Sequence, residues 1–345
     1  MTSADRRATR PSLTDPFRIA DVEIPNRLLL APLAGIGNWF VRLQARRHGA
    51  GLAVSEMVSS FAVTHRNART LREMLRIHPD EHPVSIQLFG PDPKVMREAA
   101  GIVAEAGADL IDLNMGCPVP KICKTGAGAA LLREPERALA LARAAAEGAG
   151  LPVTVKLRSG AEPGDRSGFE LALRLAEEAG VAAIAFHPRT AAVHHRGEPD
   201  YELARELAER LPVPMIVSGG LRSAESARRA YEQSGADAVM IARGALGYPW
   251  IFAELTGRRG HAPTPEEILD ELRWVLEQAE HHWGAGRAAR NLRKLYPWYL
   301  ERLGLGGADA DAYQRTDTLD EVRRMLAHLE SRCEWDSKAL AGASL

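Results

Sequence analysis

Cysteine is scarce in this chain, with three residues, Cys117, Cys123 and Cys333, among 345. Thiols so few and so unevenly placed cannot make the framework of bridges that holds small secreted domains, and a reducing cytoplasm is the expected setting. Charge of one sign is also lacking: 44 Lys and Arg stand against 45 Asp and Glu, a formal net charge of −1. No global field draws the chain to a polyanion, so any nucleic-acid site must come from local clustering of basic side chains. No window holds about 18 uninterrupted apolar residues, so no membrane span is expected. The opening MTSADRRATRPSLTD has no apolar core of a signal peptide. Low-complexity composition is absent too, and a 46% hydrophobic content over this length is enough for a sizeable core, which excludes disorder for the chain as a whole.

What is present is a repeated theme. From Arg27 to about Trp250, short apolar runs alternate with Ala/Leu/Arg/Glu-rich helical stretches, the pattern of parallel βα units. Eight runs read as strands: 27–33 (RLLLAPL), 52–57 (LAVSEM), 84–89 (VSIQLF), 110–115 (LIDLNM), 153–158 (VTVKLR), 183–188 (AIAFHP), 215–220 (MIVSGG) and 239–244 (VMIARG). Eight units over roughly 220 residues predict an α/β fold of the (β/α)8 TIM-barrel type rather than an open doubly wound sheet. The helical stretches carry their own signals: 92–109 opens on Asp92 and Pro93 and stops at Gly107, and 133–150 and 167–180 follow the same grammar. After Gly257 the grammar changes to a Gly/Pro linker, GRRGHAPTP, and then to amphipathic helices without strands. The expected division is a flexible tail over 1–16, a catalytic barrel over 17–257, a smaller all-helical domain over 258–335 and a flexible tail over 336–345. Within the helical domain, Arg287, Arg290, Arg293, Lys294 and Arg302 face Glu301 alone, and Tyr296, Trp298 and Tyr299 are interleaved with that charge.

In such a barrel the chemistry gathers at the carboxyl ends of the strands. Those ends carry Glu56, Gln87, Asn114, Cys117, Lys156, Arg158, His187, Arg189, Ser218 and Arg243, polar groups that are costly in a core and hard to explain by packing. Gly219-Gly220, ahead of a helix from about Ser223, and Arg243-Gly244, ahead of a short turn, suit a phosphate held on backbone N–H groups. Gly126-Ala127-Gly128 starts like a dinucleotide fingerprint, but Leu131 stands where the third glycine belongs. No metal site is expected, because Cys117 and Cys123 are six apart and the histidine pairs 194–195 and 281–282 are adjacent, spacings unlike those of zinc ligands. Cys117 lies in a loop directly after LIDLNM, where a thiol of pKa near about 8.5 can act as a general acid or, once ionised, as a nucleophile.

Taken together, APLAGIGNWFVR, VSEMVSS, QLFGPDP, LIDLNMGCPVPKICKTGAGAALL, VTVKLRSG, HPRT, MIARGALGYPWIF and RKLYPWYL resemble the tRNA-dihydrouridine synthases, and within them the bacterial B-type branch. The resemblance implies a flavin-dependent barrel that reduces a uridine in tRNA, with FMN as cofactor and NADPH or NADH as electron donor. It makes Cys117 the acid that protonates C5 of the uracil while C6 receives hydride. It places Gln87, Lys156 and His187 against the flavin ring, Pro32, Leu33 and Ala34 along it, and Ser218, Gly219, Gly220, Ala242, Arg243 and Gly244 at its phosphate. Asn114 and Arg189 are substrate-binding candidates, and the helical domain is expected to bind tRNA through Arg287, Arg290, Arg293 and Lys294. Ser218-Gly219-Gly220 and Ala242-Arg243 depart from the Asn-Gly-Asp or Asn-Gly-Gly and Gly-Arg frequent in the family, but backbone amides can still serve the phosphate. The other readings are an FMN barrel acting on a free pyrimidine or enone, and a non-catalytic RNA-binding barrel.

Overall fold

The computed structural model describes residues 10–342, with side chains as far as residue 331. Eight parallel strands pair in sequence order: β1 Leu28–Leu30, β2 Leu52–Val54, β3 Val84–Phe89, β4 Leu110–Met115, β5 Val153–Arg158, β6 Ala183–His187, β7 Met215–Ser218 and β8 Ala238–Ile241. The sheet closes because β8 returns to β1, with Val239 opposite Leu28 and Ile241 opposite Leu30. This is the TIM barrel. Strands β3, β4 and β5 match the predicted runs residue for residue. The flanking strands are shorter at their carboxyl ends; β1 stops before Pro32, which has no N–H to give to a ladder.

Helices α1 Trp39–His48, α2 Pro93–Glu105, α3 Pro135–Ala149, α4 Ser167–Glu178, α5 Tyr201–Arg210 and α6 Ala224–Ser234 connect the strands. Their ends are where the sequence signals put them. Asp92 accepts from the amides of Lys94 and Val95 at the start of α2, and Ser223 with Ser226 forms a reciprocal cap on α6.

Side chains alternate across each strand, and this parity sorts the barrel interior. Near the amino ends the inward set is apolar: Leu29, Leu52, Leu110, Ala183, Ile216 and Ala238 pack with Phe17, Ile19 and Ile24. The last three belong to a hairpin of Phe17–Ile19 with Val22–Ile24, whose three-residue strands are too short to show a period in sequence. Toward the carboxyl ends the same parity turns polar on three neighbouring strands, with Gln87 on β3, Asp112 and Asn114 on β4, and Thr154, Lys156 and Arg158 on β5. The polar set is the site.

The expected amino-terminal tail is corrected over its later part. Leu13 is buried, Arg10 donates to the carbonyls of Glu232 and Ala236 while lying over the Tyr231 ring, and the Tyr231 hydroxyl donates to the carbonyl of Pro11. Residues 1–9 of that tail lie outside the described residues.

The chain divides into two compact units, one running to Gly244 and taking in Ile251–Arg258, the other formed by Ala245–Trp250 and the chain from Arg259 onward. The second unit is helical: α7 Pro265–Trp283, α8 Ala285–Leu292, α9 Tyr296–Arg302, α10 Ala308–Arg315 and α11 Leu319–Gly342. The basic stretch is divided between α8 and α9, which break at 293–295, just ahead of Pro297 in the first turn of α9. The backbone of α11 stays helical through most of the expected carboxyl-terminal tail, and residues 343–345 lie outside the described residues. Tyr296 and Tyr299 are buried and Tyr296 packs against Tyr313, so these two aromatics serve the unit's core rather than a binding face. Among the described residues, no helix is long and apolar enough to cross a membrane.

Candidate active site

The carboxyl ends of the strands enclose a cavity of about 320 Å³, the size of small-molecule sites, which run from roughly 300 Å³ upward. The structure brings together there Cys117 and Asn114 from the β4 loop, Gln87 from β3, Lys156 from β5, His187 from β6 and the Ser218–Gly220 turn after β7. Pro32, Ala34, Ala242 and Arg243 also line it. Among the described residues no carboxylate does, so the wall is cationic.

The thiol is set by a chain of amides. Asn114 Oδ1 accepts the backbone N–H of Cys117 at 3.0 Å and of Gly116 at 3.3 Å, folding the loop back over the strand end. Its Nδ2 donates to Gln87 Oε1 at 2.9 Å; Gln87 Nε2 donates to Asp112 Oδ2 at 2.6 Å; and Thr154 Oγ1 donates to Asp112 Oδ1 at 2.5 Å. Arg158 fastens the loop from the other side, donating to the carbonyls of Gly116 at 3.1 Å, Thr190 at 3.0 Å and His194 at 2.7 Å. Burial pushes the Cys117 thiol above its ordinary range, and the pull of Arg158 and Lys156 does not reverse this. Cys123 sits beside it and donates its S–H to the Cys117 carbonyl at 3.3 Å.

Below the thiol, burial lowers Lys156 to about 8, the Arg158 charge adding to the effect and Asp112 opposing it. Its Nζ reaches Ser218 Oγ at 3.3 Å. Burial holds His187 well below the usual imidazole range, reinforced by Lys156, Arg158 and Arg189, so the ring is neutral. Arg189 Nη1 stands 3.3 Å from His187 Nε2, and since a guanidinium can only donate, the imidazole proton belongs on Nδ1.

The far end is cationic and open at a glycine turn. Gly219 and Gly220 have φ of 99° and 79°, conformations an L side chain rarely takes. A Cβ on Gly219 would lie 2.4 Å from the His187 ring, and one on Gly220 2.8 Å from Tyr201 Oη. Tyr201 in turn donates to the Gly219 carbonyl at 2.8 Å and fixes the turn. Arg222 and Arg243 line this end, and Arg243 is lowered first by burial and then by Arg222 and Arg189. Cations crowded this closely, beside an open glycine turn, are what a phosphate monoester would relieve. The residues at this end therefore fit the phosphate of a flavin mononucleotide.

Several expected residues fall elsewhere. Leu33 is turned into the core and Gly244 lies against the Leu221 carbonyl, so neither is at the cavity wall. Arg189 is buried behind His187 and also holds the Gly197 carbonyl, which makes it a support rather than an open contact. Arg293 is engaged by the Thr316 carbonyl and the Asp317 carboxylate within the helical unit, while Arg290 and Lys294 are exposed there. Asp112, Tyr201, Arg222 and His195 escaped the sequence reading. His195 stands out in the sequence only as half of the adjacent pair 194–195, and in the fold it stacks at 5.9 Å on His187. Among the described residues, no group of three or more His, Cys, Asp or Glu side chains is placed to hold a metal ion.

A closed parallel barrel whose mouth gathers a thiol, a buried lysine and a glycine turn flanked by arginines is the class of fold and site present here. The chain belongs to the Dihydrouridine synthase (Dus) family, whose pattern it matches over residues 29–332. It is 39% identical over 291 residues to tRNA-dihydrouridine synthase B of Pseudomonas aeruginosa, covering 83% of this chain and 87% of that protein. It is 36% identical to a probable tRNA-dihydrouridine synthase of Mycobacterium tuberculosis, covering 97% and 89%. Morphinone reductase in complex with tetrahydroNAD shares the fold at a TM-score of 0.53 and 17% identity over 75% of this chain and 94% of that one. An old yellow enzyme homologue from Zymomonas mobilis does so at 0.56 and 15%, over 75% and 96%.

Proposed function

We infer that this protein reduces uridine in tRNA to 5,6-dihydrouridine, with FMN in the barrel cavity and NADPH or NADH as the electron source. The observation that carries the reading is the convergence of Cys117, Lys156, His187 and the Ser218–Gly220 turn in one cationic cavity of a chain from this family. Bound there, reduced FMN would supply the hydride that C6 of the pyrimidine accepts. Gln87, Lys156 and His187 would hold the ring, Pro32 and Ala34 would line it, and the glycine turn with Ala242 and Arg243 would hold the phosphate.

Reduction at C6 leaves electron density on C5 and the adjoining carbonyl, and a proton must arrive at C5. Cys117 is suited to give it, because burial keeps the thiol protonated at neutral pH. Asn114 and Arg158 hold its loop in place so that the donor does not have to be ordered at the moment of transfer. Lys156 and Arg158 offer positive charge to the developing anion. The exposed Arg290 and Lys294 of the helical unit, with Arg287, are assigned to the RNA backbone, and the reducing cytoplasm is the setting such a substrate implies.

Incubating the purified protein with FMN, NADPH and unmodified tRNA should produce dihydrouridine, read by nucleoside mass spectrometry. Cys117→Ala should keep flavin binding and NADPH oxidation while uridine reduction drops by about 10²–10⁴, the range for loss of a positioned acid. Wild-type rates from C117A would remove Cys117 from the role, and a flavin-loaded, NADPH-reduced protein that leaves uridine intact would sink the function itself.

A further inference from the structure

The reaction as described uses the cavity wall, but the wall rests on a charged group beneath it that none of those roles employs. Asp112 is 1% exposed and makes both of its hydrogen bonds to side chains of the neighbouring strands, Gln87 on β3 and Thr154 on β5. A buried carboxylate is expensive, and a barrel interior could carry a leucine at this point, as β4 does at Leu110 two residues earlier.

The arrangement of donors and acceptors gives the reason. The chain that begins at Asp112 ends on the backbone N–H groups of Gly116 and Cys117, which can only donate. Asn114 must therefore turn its oxygen to them and its Nδ2 to Gln87; Gln87 must accept at Oε1 and so has only Nε2 to offer at its other end. That last donor needs a partner that accepts without competing, and an ionised carboxylate has no proton to offer. Each amide is thus locked in one of its two orientations from both ends, and Cys117 inherits the result. We propose that Asp112 is a positioning residue for the reaction: its buried carboxylate fixes the orientation of the Gln87–Asn114 chain that holds the Cys117 loop, and it is the counter-charge of Lys156.

The second role follows from the same strands. Asp112 and Asn114 on β4 lie opposite Thr154 and Lys156 on β5, so the carboxylate and the ammonium belong to adjacent layers of the interior. Asp112 is faced by Thr154, Gln87 and Lys156; Lys156 is faced by Asp112, Arg158, Cys117, Ser218 and the neutral His187. Asp112 is the carboxylate among these groups. Burial raises it to about 6, with Thr154, Gln87 and Lys156 opposing, so it is ionised near neutrality and supports the lysine charge.

Two variants separate the roles, and the inference rests on Cys117 being the proton donor. Asp112→Leu removes the terminal acceptor. Asp112→Asn keeps an oxygen for Gln87 Nε2 and can turn its amide to Thr154, but it loses the charge. The first measurement needs neither flavin nor RNA: the rate of iodoacetamide alkylation of Cys117 at fixed pH, quantified on the tryptic peptide ending at Lys121, which separates it from Cys123. D112L should alkylate severalfold differently from wild type because its loop is no longer held, and D112N should stay within about twofold. In the loaded enzyme, D112L should lose kcat with little change in KM for tRNA, whereas D112N should keep activity at pH 7 or below and lose it at lower pH than wild type does. Wild-type alkylation in folded D112L, or an unshifted alkaline limb in D112N, would overturn the proposal. Should D112L not fold, Thr154→Val removes one bond to the carboxylate and should move the alkaline limb the same way by less. Because alkylation does not depend on the substrate, a failure of the tRNA reading leaves this arm standing and the two failures can be told apart.

Discussion

Cys117 keeps its proton and Lys156 comes close to losing one, and both behaviours have the same cause. Each group is withdrawn from water, which penalises the charged form of either, so the acid's pKa rises and the base's falls to about 8. Asp112, raised to about 6 by the same burial, completes the set. The working state has the thiol and the lysine protonated and the carboxylate ionised, and the shifts define the window in which all three hold. Above about 8 Lys156 gives up its charge, whereas a proton taken up by Asp112 below about 6 can sit on Oδ1 toward Thr154 and leave Oδ2 to accept from Gln87, as the amide of D112N does. The rate at saturating substrate should therefore fall on the alkaline side, with a limb near the Lys156 value that belongs to the coupled set rather than to a single residue. The pH dependence of kcat measures this directly. Lys156→Arg, charged throughout, should lose the alkaline limb even where its plateau is lower; persistence of that limb would assign it to another group.

At the scale of elements, the loop after β1 shows how the fold holds its site. Pro32 and Ala34 line the cavity, yet the turn that follows makes no contribution to the barrel ladder beyond Ala31. It is held instead by a fully buried ion pair, Arg42 Nε to Glu81 Oε2 at 2.6 Å, with Arg42 also donating to the carbonyls of Gly37 at 3.3 Å and Arg76 at 2.7 Å. Glu56 closes the same turn by accepting the Gly35 N–H at 2.7 Å. Arg42→Ala leaves Glu81 buried without its partner, and such losses cost about 3–5 kcal/mol, so a large fall in the denaturation midpoint is expected along with weaker flavin retention. The sequence foretold little of this, since Arg42 and Glu81 are far apart in the chain and carry no motif. The strands were legible because each apolar run is a local signal, and the mouth residues because chemistry at strand ends is a rule of the fold. Asp112 is legible in principle: in LIDLNM and VTVKLR the polar residues fall at alternate positions, a period of two that marks one face of a strand, but the hydrogen bonds that join this face across β3, β4 and β5 have no local signal. Tyr201 sits on α5 and reaches the Gly219 carbonyl only through the fold, beyond any local pattern, whereas Arg222 follows Gly220 in the loop after β7.

At the scale of the whole molecule, the chain separates a cationic cavity from a helical unit whose basic stretch is only partly available. The sequence put four net positive charges between residues 287 and 304, with aromatics among them, but the fold withdraws Tyr296 and Tyr299 into the core and commits Arg293 to Thr316 and Asp317. Base stacking on those tyrosines is therefore not a means of holding RNA here, and the contact expected of this unit is electrostatic. Such contacts act through counterion release, each phosphate neutralised steepening the dependence of log K on log salt by about 0.7–0.9. Removing Arg290 and Lys294 together should lower tRNA affinity at low salt and flatten that slope by up to about 2, if each side chain meets one phosphate. Flavin content and NADPH oxidation should be unchanged, because these residues belong to the second unit and the cavity to the first. Deleting the chain beyond Arg258 is a poorer test: Ala245–Trp250 belongs to the helical unit, and cutting there strands Trp250, which is buried in the intact chain. Fluorescence titrations of tRNA across a salt series, wild type against the double variant, therefore decide the matter, and an unchanged slope would move the RNA contact away from these side chains.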